Sequence, residues 1–316
     1  MNEPLRIIFM GTPLFAVATL EALIAAGHKV QCVVTMPDRP KGRGGKKTVG
    51  PVKASALRNN IEVLEPETIK HGPFIERLKA IAPDFVVVVA YGKILPQAVL
   101  NIPRYGCVNL HASLLPKYRG PSPINRAVIN GDEETGVTTM LMDKGMDTGP
   151  MLLKERLLIG ESDTAEDLSK RLSASGAGLV VRTLEEMRDG LVKPEPQDES
   201  EASYAGFLKK EDGRIDWSSD AGLIKNLVRG MYPWPGAYTF HNGNFLKVHR
   251  GDVAPTNDAG KALPPGTITG VSDGFIGVAC GQGAYNITEL QMQGRKRLSS
   301  ADFLKGYRLK EGDRLG

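Results

Sequence analysis

The chain has 316 residues, 41% of them hydrophobic and 24% charged, with a formal net charge of +4. This is an ordinary soluble composition with ample material for a core, and the length suits two domains or one large one. No apolar run approaches the ~18 residues of a membrane span, and residues 1–6 lack the basic start and apolar core of a leader, so a cytoplasmic protein with no membrane partner is expected. Three cysteines, Cys32, Cys107 and Cys280, lie far apart with no paired spacing. That argues against a disulfide framework or a zinc site, so no metal is expected and the thiols are read as buried and reduced.

Residues 5–10 form a compact apolar run broken by Gly11-Thr12-Pro13, and residues 15–26 repeat apolar positions at helical spacing until Gly27. This predicts strand, turn, helix and helix stop. A second strand is predicted over 30–35, a short helix over 52–60, a third strand over 61–64 and a helix over 73–82. Residues 85–90, Phe-Val-Val-Val-Val-Ala, are the most continuously apolar run in the chain. A strand apolar on both faces belongs in the middle of a parallel sheet covered by helices. Another strand follows over 106–110, and Ser122 and Pro123 suit the N-cap and first turn of a helix through Asn130. Strands over 135–142 and 151–158 precede one long helix over 164–188, opened by Thr164-x-x-Asp167 as a capping box. The alternation implies a doubly wound α/β domain with a mostly parallel sheet, taken as residues 1–190.

Residues 191–206 contain Lys193-Pro194-Glu195-Pro196-Gln197-Asp198-Glu199, polar, proline-spaced and acidic, and read as an extended linker. Beyond them, a helix over 221–229 leads into short alternating strands separated by glycine turns, at 238–240, 245–248, 266–271, 275–279 and 285–293. That pattern predicts a small β-barrel over 207–316. The whole charge excess lies here: residues 206–316 hold 15 Lys and Arg against 11 Asp and Glu. The clusters Arg295-Lys296-Arg297 and 305–314 suit a face that tracks phosphates.

Two nucleotide-binding motifs fail. The turn after the first strand, Gly11-Thr12-Pro13-Leu14-Phe15-Ala16, has one glycine where a dinucleotide fingerprint needs three. In the Gly42–Thr48 loop, Pro40 and Lys47 stand where a phosphate loop needs Gly and Ser or Thr. The same region nevertheless holds seven basic residues between 39 and 58 (Arg39, Lys41, Arg43, Lys46, Lys47, Lys53, Arg58) and no acidic one. Presented on an irregular loop, such charges suit nucleic-acid phosphates; the alternative is a solvated basic surface.

Cys107-Val-Asn-Leu-His-Ala-Ser-Leu-Leu-Pro116 passes from a buried strand into a proline-stopped loop. Asn109 and His111 are two apart, so in an extended chain they point the same way, at a strand end where open α/β sheets bind ligands. The glycine-punctuated loop 142–150 can bring Asp147 to the same end. A hydrogen bond from His111 to Asp147 would fix an imidazolium, which with the Asn109 amide offers two donors to an oxygen that becomes negative during acyl transfer. No nucleophile with its own base is evident, which points to direct transfer between two bound substrates.

Asn109-Leu110-His111-Ala112-Ser113-Leu114-Leu115-Pro116, then Lys117-Tyr118-Arg119-Gly120-Pro121-Ser122-Pro123-Ile124 and Asp147-Thr148-Gly149, resemble the folate-dependent formyltransferases. Phe9-Met10-Gly11-Thr12-Pro13, Ala90-Tyr91-Gly92-Lys93-Ile94-Leu95-Pro96 and Met231-Tyr232-Pro233-Trp234-Pro235-Gly236-Ala237 extend the resemblance along the chain in family order. It implies a Rossmann-like catalytic domain followed by an open barrel of the oligonucleotide-binding type. It implies 10-formyltetrahydrofolate as donor and, as acceptor, the α-amino group of methionine on initiator tRNA. By matching position, Asn109, His111 and Asp147 are the catalytic trio. Ser113, Leu114, Leu115 and Pro116 contact folate, Ala90, Tyr91 and Gly92 line the pterin pocket, and Arg43, with Lys41, Lys46 and Lys47 beside it, meets the tRNA. The basic loop departs from the family pattern in reading Gly-Gly-Lys-Lys-Thr-Val-Gly before Pro51. Tyr232 and Trp234 suit base stacking or, alternatively, a packing plug, and no obligate protein partner is evident. Two other readings stand beside this one: formyl transfer to a small amine such as glycinamide ribotide or an amino-sugar nucleotide, and a nucleic-acid-binding protein on a catalytically silent scaffold.

Overall fold

A computed structural model describes residues 3–38, 48–70, 72–255, 263–272 and 274–316. The chain divides into two compact units: residues 1–123, 134–158 and 169–205 form the first, and residues 124–133, 159–168 and 206–316 the second.

In the first unit, seven strands form one sheet: β1 (Arg6–Gly11), β2 (Lys29–Val34), β3 (Glu62–Leu64), β4 (Phe85–Val89), β5 (Cys107–His111), β6 (Glu134–Leu141) and β7 (Met151–Leu158), in the order β3-β2-β1-β4-β5-β6-β7. The pairs from β3 through β5 are parallel and the last two are antiparallel. After β3 the chain returns to the other side of β1, so the strand order reverses between β1 and β4. The crevice beyond their carboxyl ends is where such sheets bind ligands. The expected doubly wound, mostly parallel sheet is what forms.

Its helices are α1 (Val17–Ala25), α2 (Pro51–Arg58), α3 (Pro73–Ile81), α4 (Gln97–Leu100), and most of α6 (Ala165–Arg188); α5 (Pro123–Asn130) falls in the second unit from Ile124 on. Every residue of β4 is buried. Ile8 and Met10 of β1, Cys32 and Val34 of β2 and Val86 and Val88 of β4 share one core with Leu78 of α3 and Val99 of α4. The alternate residues Ile7, Phe9, Val33 and Val87 are equally buried, so both faces of the central strands are covered. The lone glycine of the first turn has a packing reason: a Cβ on Gly11 would lie 2.9 Å from that of Ala16 and 3.0 Å from the Val89 carbonyl oxygen. Thr164 and Asp167 form the reciprocal cap at the start of α6, each side chain accepting the other's backbone N–H at 3.2 Å.

Within the second unit, α7 (Ala221–Gly230), β8 (Ala237–His241), β9 (Asn244–Val253), β10 (Ile268–Val271), β11 (Ile276–Ala279), β12 (Ala284–Met292), β13 (Leu298–Ser299) and α8 (Ser300–Gly306) follow in order. The strands form an antiparallel sheet in the order β10-β11-β12-β9-β8, with β13 on β12. Trp217, Ile224, Val248, Ile276, Tyr285 and Phe303 share its core. Arg297 is tied to Glu289 and stacks 5.5 Å from the Tyr232 ring centroid, so one of the predicted phosphate-tracking cations is already engaged. Trp234 is 57% exposed. Among the described residues no helix is long and apolar enough to cross a membrane.

Candidate active site

The carboxyl ends of β4 and β5, together with the loop that follows the antiparallel strand β6, carry the residues singled out in the sequence. Val88 pairs with Asn109 across β4 and β5, so two residues further along these strands lie Ala90 and His111. Alternation puts Asn109 and His111 on one side of β5, while Leu110 packs against Gly176 of α6 on the other, where a Cβ would come within 2.6 Å of the Leu110 side chain. Asn109 and His111 are 8% and 6% exposed. Among the described residues the Asn109 carboxamide has no hydrogen-bond partner, which leaves both N–H groups for a ligand.

Asp147 lies in the β6–β7 loop at φ 57°, in the left-handed region. Its Oδ2 accepts the Gly120 N–H at 2.8 Å and stands 3.6 Å from His111 Nδ1. That separation is an ion-pair contact and too long for a hydrogen bond. The expected His111–Asp147 hydrogen bond is therefore corrected. The ring's close partner is the Tyr118 carbonyl, 2.9 Å from Nε2. Because a carbonyl only accepts, Nε2 carries a proton, and Nδ1 is the nitrogen left facing Asp147. One short turn thus grips both groups: the Tyr118 carbonyl holds the imidazole and the Gly120 N–H holds the carboxylate.

Tyr118 at φ 60° and Ala90 at φ 47° are left-handed like Asp147, so three strained non-glycine residues gather at these strand ends. Such strain persists where surrounding contacts over-determine the backbone, and it clusters at functional sites. The turn at Ala90 also explains why β4 stops one residue short of the predicted strand. Ala90 and Gly92 are exposed, whereas Tyr91 is 2% exposed and points into the core. Burial pushes the Tyr91 phenol up to about 12. The backbone carbonyl of Tyr91 accepts from Thr12 Oγ1 at 3.2 Å, and the same hydroxyl accepts the Met36 N–H at 3.3 Å, tying together the ends of β1, β2 and β4.

The 113–116 segment turns its side chains inward. Ser113 Oγ donates to the Lys117 carbonyl at 2.5 Å, and Leu115 and Pro116 are buried. Thr138 Oγ1 pins the segment by accepting the Leu115 N–H at 3.1 Å and donating to the Ser113 carbonyl at 2.7 Å. Leu114 alone of the four is half-buried. Arg43, Lys41, Lys46 and Lys47 lie outside the described residues. Of the other basic residues in that stretch, Lys53 is paired with Asp38 at 2.8 Å and Glu65 at 2.6 Å, and Arg58 with Glu21 at 3.2 Å. Lys53 is thus held in a largely buried pair of ion contacts, and Arg58 makes an exposed surface pair.

Sequence reasoning gave Tyr118, Arg119 and Gln197 no role in the site. A backbone carbonyl leaves no sequence signal, and a glutamine in a proline-spaced acidic stretch looks like linker. Arg119 is fully buried and donates to both carboxylate oxygens of Glu199, at 2.9 and 2.8 Å. An arginine between an aromatic residue and a glycine, just after the site loop, was the available hint.

Residues 5–184 match the family model described as formyl transferase, and residues 208–308 match that of the formyl transferase C-terminal domain. The chain belongs to the formyl transferase family. It is 51% identical to the methionyl-tRNA formyltransferase of Citrifermentans bemidjiense, over 99% of this chain and 96% of that protein. The methionyl-tRNA formyltransferase of Geobacter sulfurreducens is likewise 51% identical, over 99% of this chain and 97% of its own length. Among solved structures, HypX from Aquifex aeolicus in complex with tetrahydrofolic acid aligns with a TM-score of 0.67 at 18% identity, covering 96% of this chain and 48% of that one. The sugar 3N-formyl transferase WlaRD aligns with a TM-score of 0.67 at 18% identity, over 93% of this chain and 100% of its own. At those identities the structural likeness speaks for the fold.

Proposed function

We infer that the protein transfers a formyl group from 10-formyltetrahydrofolate to the α-amino group of methionine on initiator tRNA, in the cytoplasm, for translation initiation. The observation that carries this is the 51% identity with methionyl-tRNA formyltransferases over 99% of the chain. Residues 1–190, with the 195–205 stretch bonded to them, hold the formyl-transfer centre, and residues 207–316 contact the tRNA. Asn109, His111 and Asp147 are the catalytic trio. The exposed backbone at Ala90 and Gly92 and the 113–116 turn face the folate, and Arg43 with Lys41, Lys46 and Lys47 reaches the tRNA.

The chemistry is direct. An α-amine with a pKa of roughly 7.7–8 is partly neutral near pH 7 and attacks the formyl carbon, forming a C–N bond and a tetrahedral centre whose oxygen becomes negative. The free Asn109 N–H and, with the ring as imidazolium, the Nδ1–H of His111 stabilise that oxygen, while the Nε2–H bonded to the Tyr118 carbonyl keeps the ring from turning away. The surplus amine proton passes to Asp147, directly or through water. Collapse breaks the bond to the folate nitrogen, which takes up a proton as it leaves. Neither nucleophile on β5 and its following loop suits a covalent acyl-enzyme: burial pushes the Cys107 thiol up to about 12, and the Ser113 hydroxyl is committed to the Lys117 carbonyl. The test is incubation with formyl-labelled donor and either charged initiator tRNA or glycinamide ribotide. Label should appear on methionine; label on the small molecule alone would overturn the assignment of the acceptor.

A further inference from the structure

The stretch expected to be a free linker is stitched onto the first unit. Glu195 exchanges both backbone hydrogen bonds with Met151 at the start of β7, at 2.7 and 2.8 Å. Further on, Ser203 accepts the Arg119 N–H through its carbonyl at 2.8 Å and the Tyr118 N–H through its hydroxyl at 2.9 Å, and the Ala205 N–H donates to the Arg119 carbonyl at 2.7 Å. Residues 195–205 therefore run as a strap, one end on the strand that follows the Asp147 loop and the other on the turn that grips His111.

Gln197 joins the two. Its Nε2 donates to the carbonyl oxygens of Asp147 and Gly149, both at 2.7 Å, and its Oε1 accepts from Arg119 Nε at 2.9 Å. The rest of the Arg119 guanidinium is forked onto Glu199. A carboxamide is suited to this position: it offers two N–H donors on one atom and an acceptor on the other, with no charge. The carbonyl of Asp147, a left-handed residue, is met by the Gln197 carboxamide.

The geometry points to Gln197 as a positioning residue for formyl transfer. It fixes the backbone of the 147–149 loop, and so holds the Asp147 carboxylate against His111. Through Arg119 it ties that loop to the turn whose Tyr118 carbonyl holds the other side of the same ring. This rests on the formyl-transfer reading of the site. Gln197 touches neither ring nor carboxylate oxygen, so its effect is on where Asp147 stands, and misplacement on the ångström scale lowers turnover by up to about 100-fold.

The experiment is steady-state formylation of charged initiator tRNA by the full-length protein and its Gln197→Ala, Gln197→Glu and Gln197→Met variants, with melting temperatures measured alongside. Gln197→Ala should lower kcat about 10- to 100-fold and leave KM for donor and tRNA within about threefold. Gln197→Glu keeps the length and the Arg119 contact but sets carboxylate oxygen against two carbonyls. It should lose turnover as Ala does while melting no lower than Gln197→Met, which keeps the volume and stands in where Ala folds poorly. In an Asp147→Asn background, Gln197→Ala should cost less than about threefold, because the group it positions is already gone. Equal losses in both backgrounds, or a Gln197→Ala kcat within about threefold of wild type, would overturn the proposal and leave the formyl-transfer reading standing. Wild-type protein that formylates no charged tRNA would sink that reading and this proposal with it.

Discussion

Gly120 tests the grip on the site most sharply. It sits at φ +113°, and a Cβ there would lie 2.8 Å from the Ala205 carbonyl oxygen. That oxygen is held in place as the acceptor of the Ser122 N–H at 3.2 Å, so Gly120→Ala has to move its own backbone. The N–H that moves is the one bonded to Asp147 Oδ2 at 2.8 Å. Forcing a side chain into this conformation costs about 1–3 kcal/mol, which urea titration reads as lost stability. A shift of the donor by a large fraction of an ångström should lower kcat by about 100-fold, with KM for the folate donor held within about threefold. Gly190→Ala is the control: its φ of +71° also disfavours a side chain, but nothing lies within 4 Å of the added Cβ. Both variants should lose stability, and Gly120→Ala alone should lose turnover. If Gly120→Ala turns over within about threefold of wild type while folded, the Gly120–Asp147 bond does not position the carboxylate and the reasoning fails.

Asn109→Ala should lower kcat by about 100- to 1,000-fold, the scale of losing one oxyanion donor, with donor binding measured by fluorescence titration little changed. Arg43→Ala should weaken tRNA binding and reduce the slope of log affinity against log salt by about one; an unchanged slope would remove Arg43 from the phosphate contacts. Burial pushes the thiols of Cys32, Cys107 and Cys280 up to about 12 from an ordinary value near 9.0. Between those values the unfolded chain loses thiol protons that the folded chain keeps. Their contribution to stability is therefore full below about pH 9 and is lost as pH rises toward 12. Urea midpoints should fall over that range, less steeply in Cys107→Ala, and the native thiols should resist alkylation at pH 8; fast labelling of the folded protein would contradict the burial.

Much of the fold was legible because its signals are local and mutually consistent. The unbroken run at 85–90 announced a central parallel strand, and the Thr164–Asp167 cap opened α6 where expected. Asn109 and His111 were legible from their spacing, since two residues of separation at a strand end leaves one geometry. Less could be read of what surrounds them. The hydrogen bond that holds His111 comes from a backbone carbonyl, which any residue supplies. The strap over 195–205 looked like linker because its side chains are polar, yet those same polar groups satisfy a buried guanidinium and two loop carbonyls that lie nearly 50 or more residues away in sequence. The basic stretch over 39–58 misled in part, because composition cannot tell Lys53, held by Asp38 and Glu65, from a cation awaiting a partner.

The most direct measurement is single-turnover formylation of charged initiator tRNA by His111→Ala, with donor binding measured on the same preparation. Loss of the imidazole held between the Tyr118 carbonyl and Asp147 should lower the rate by about 100-fold or more while the donor still binds. A folded variant that formylates at a near-normal rate would show that the reaction does not run through this site.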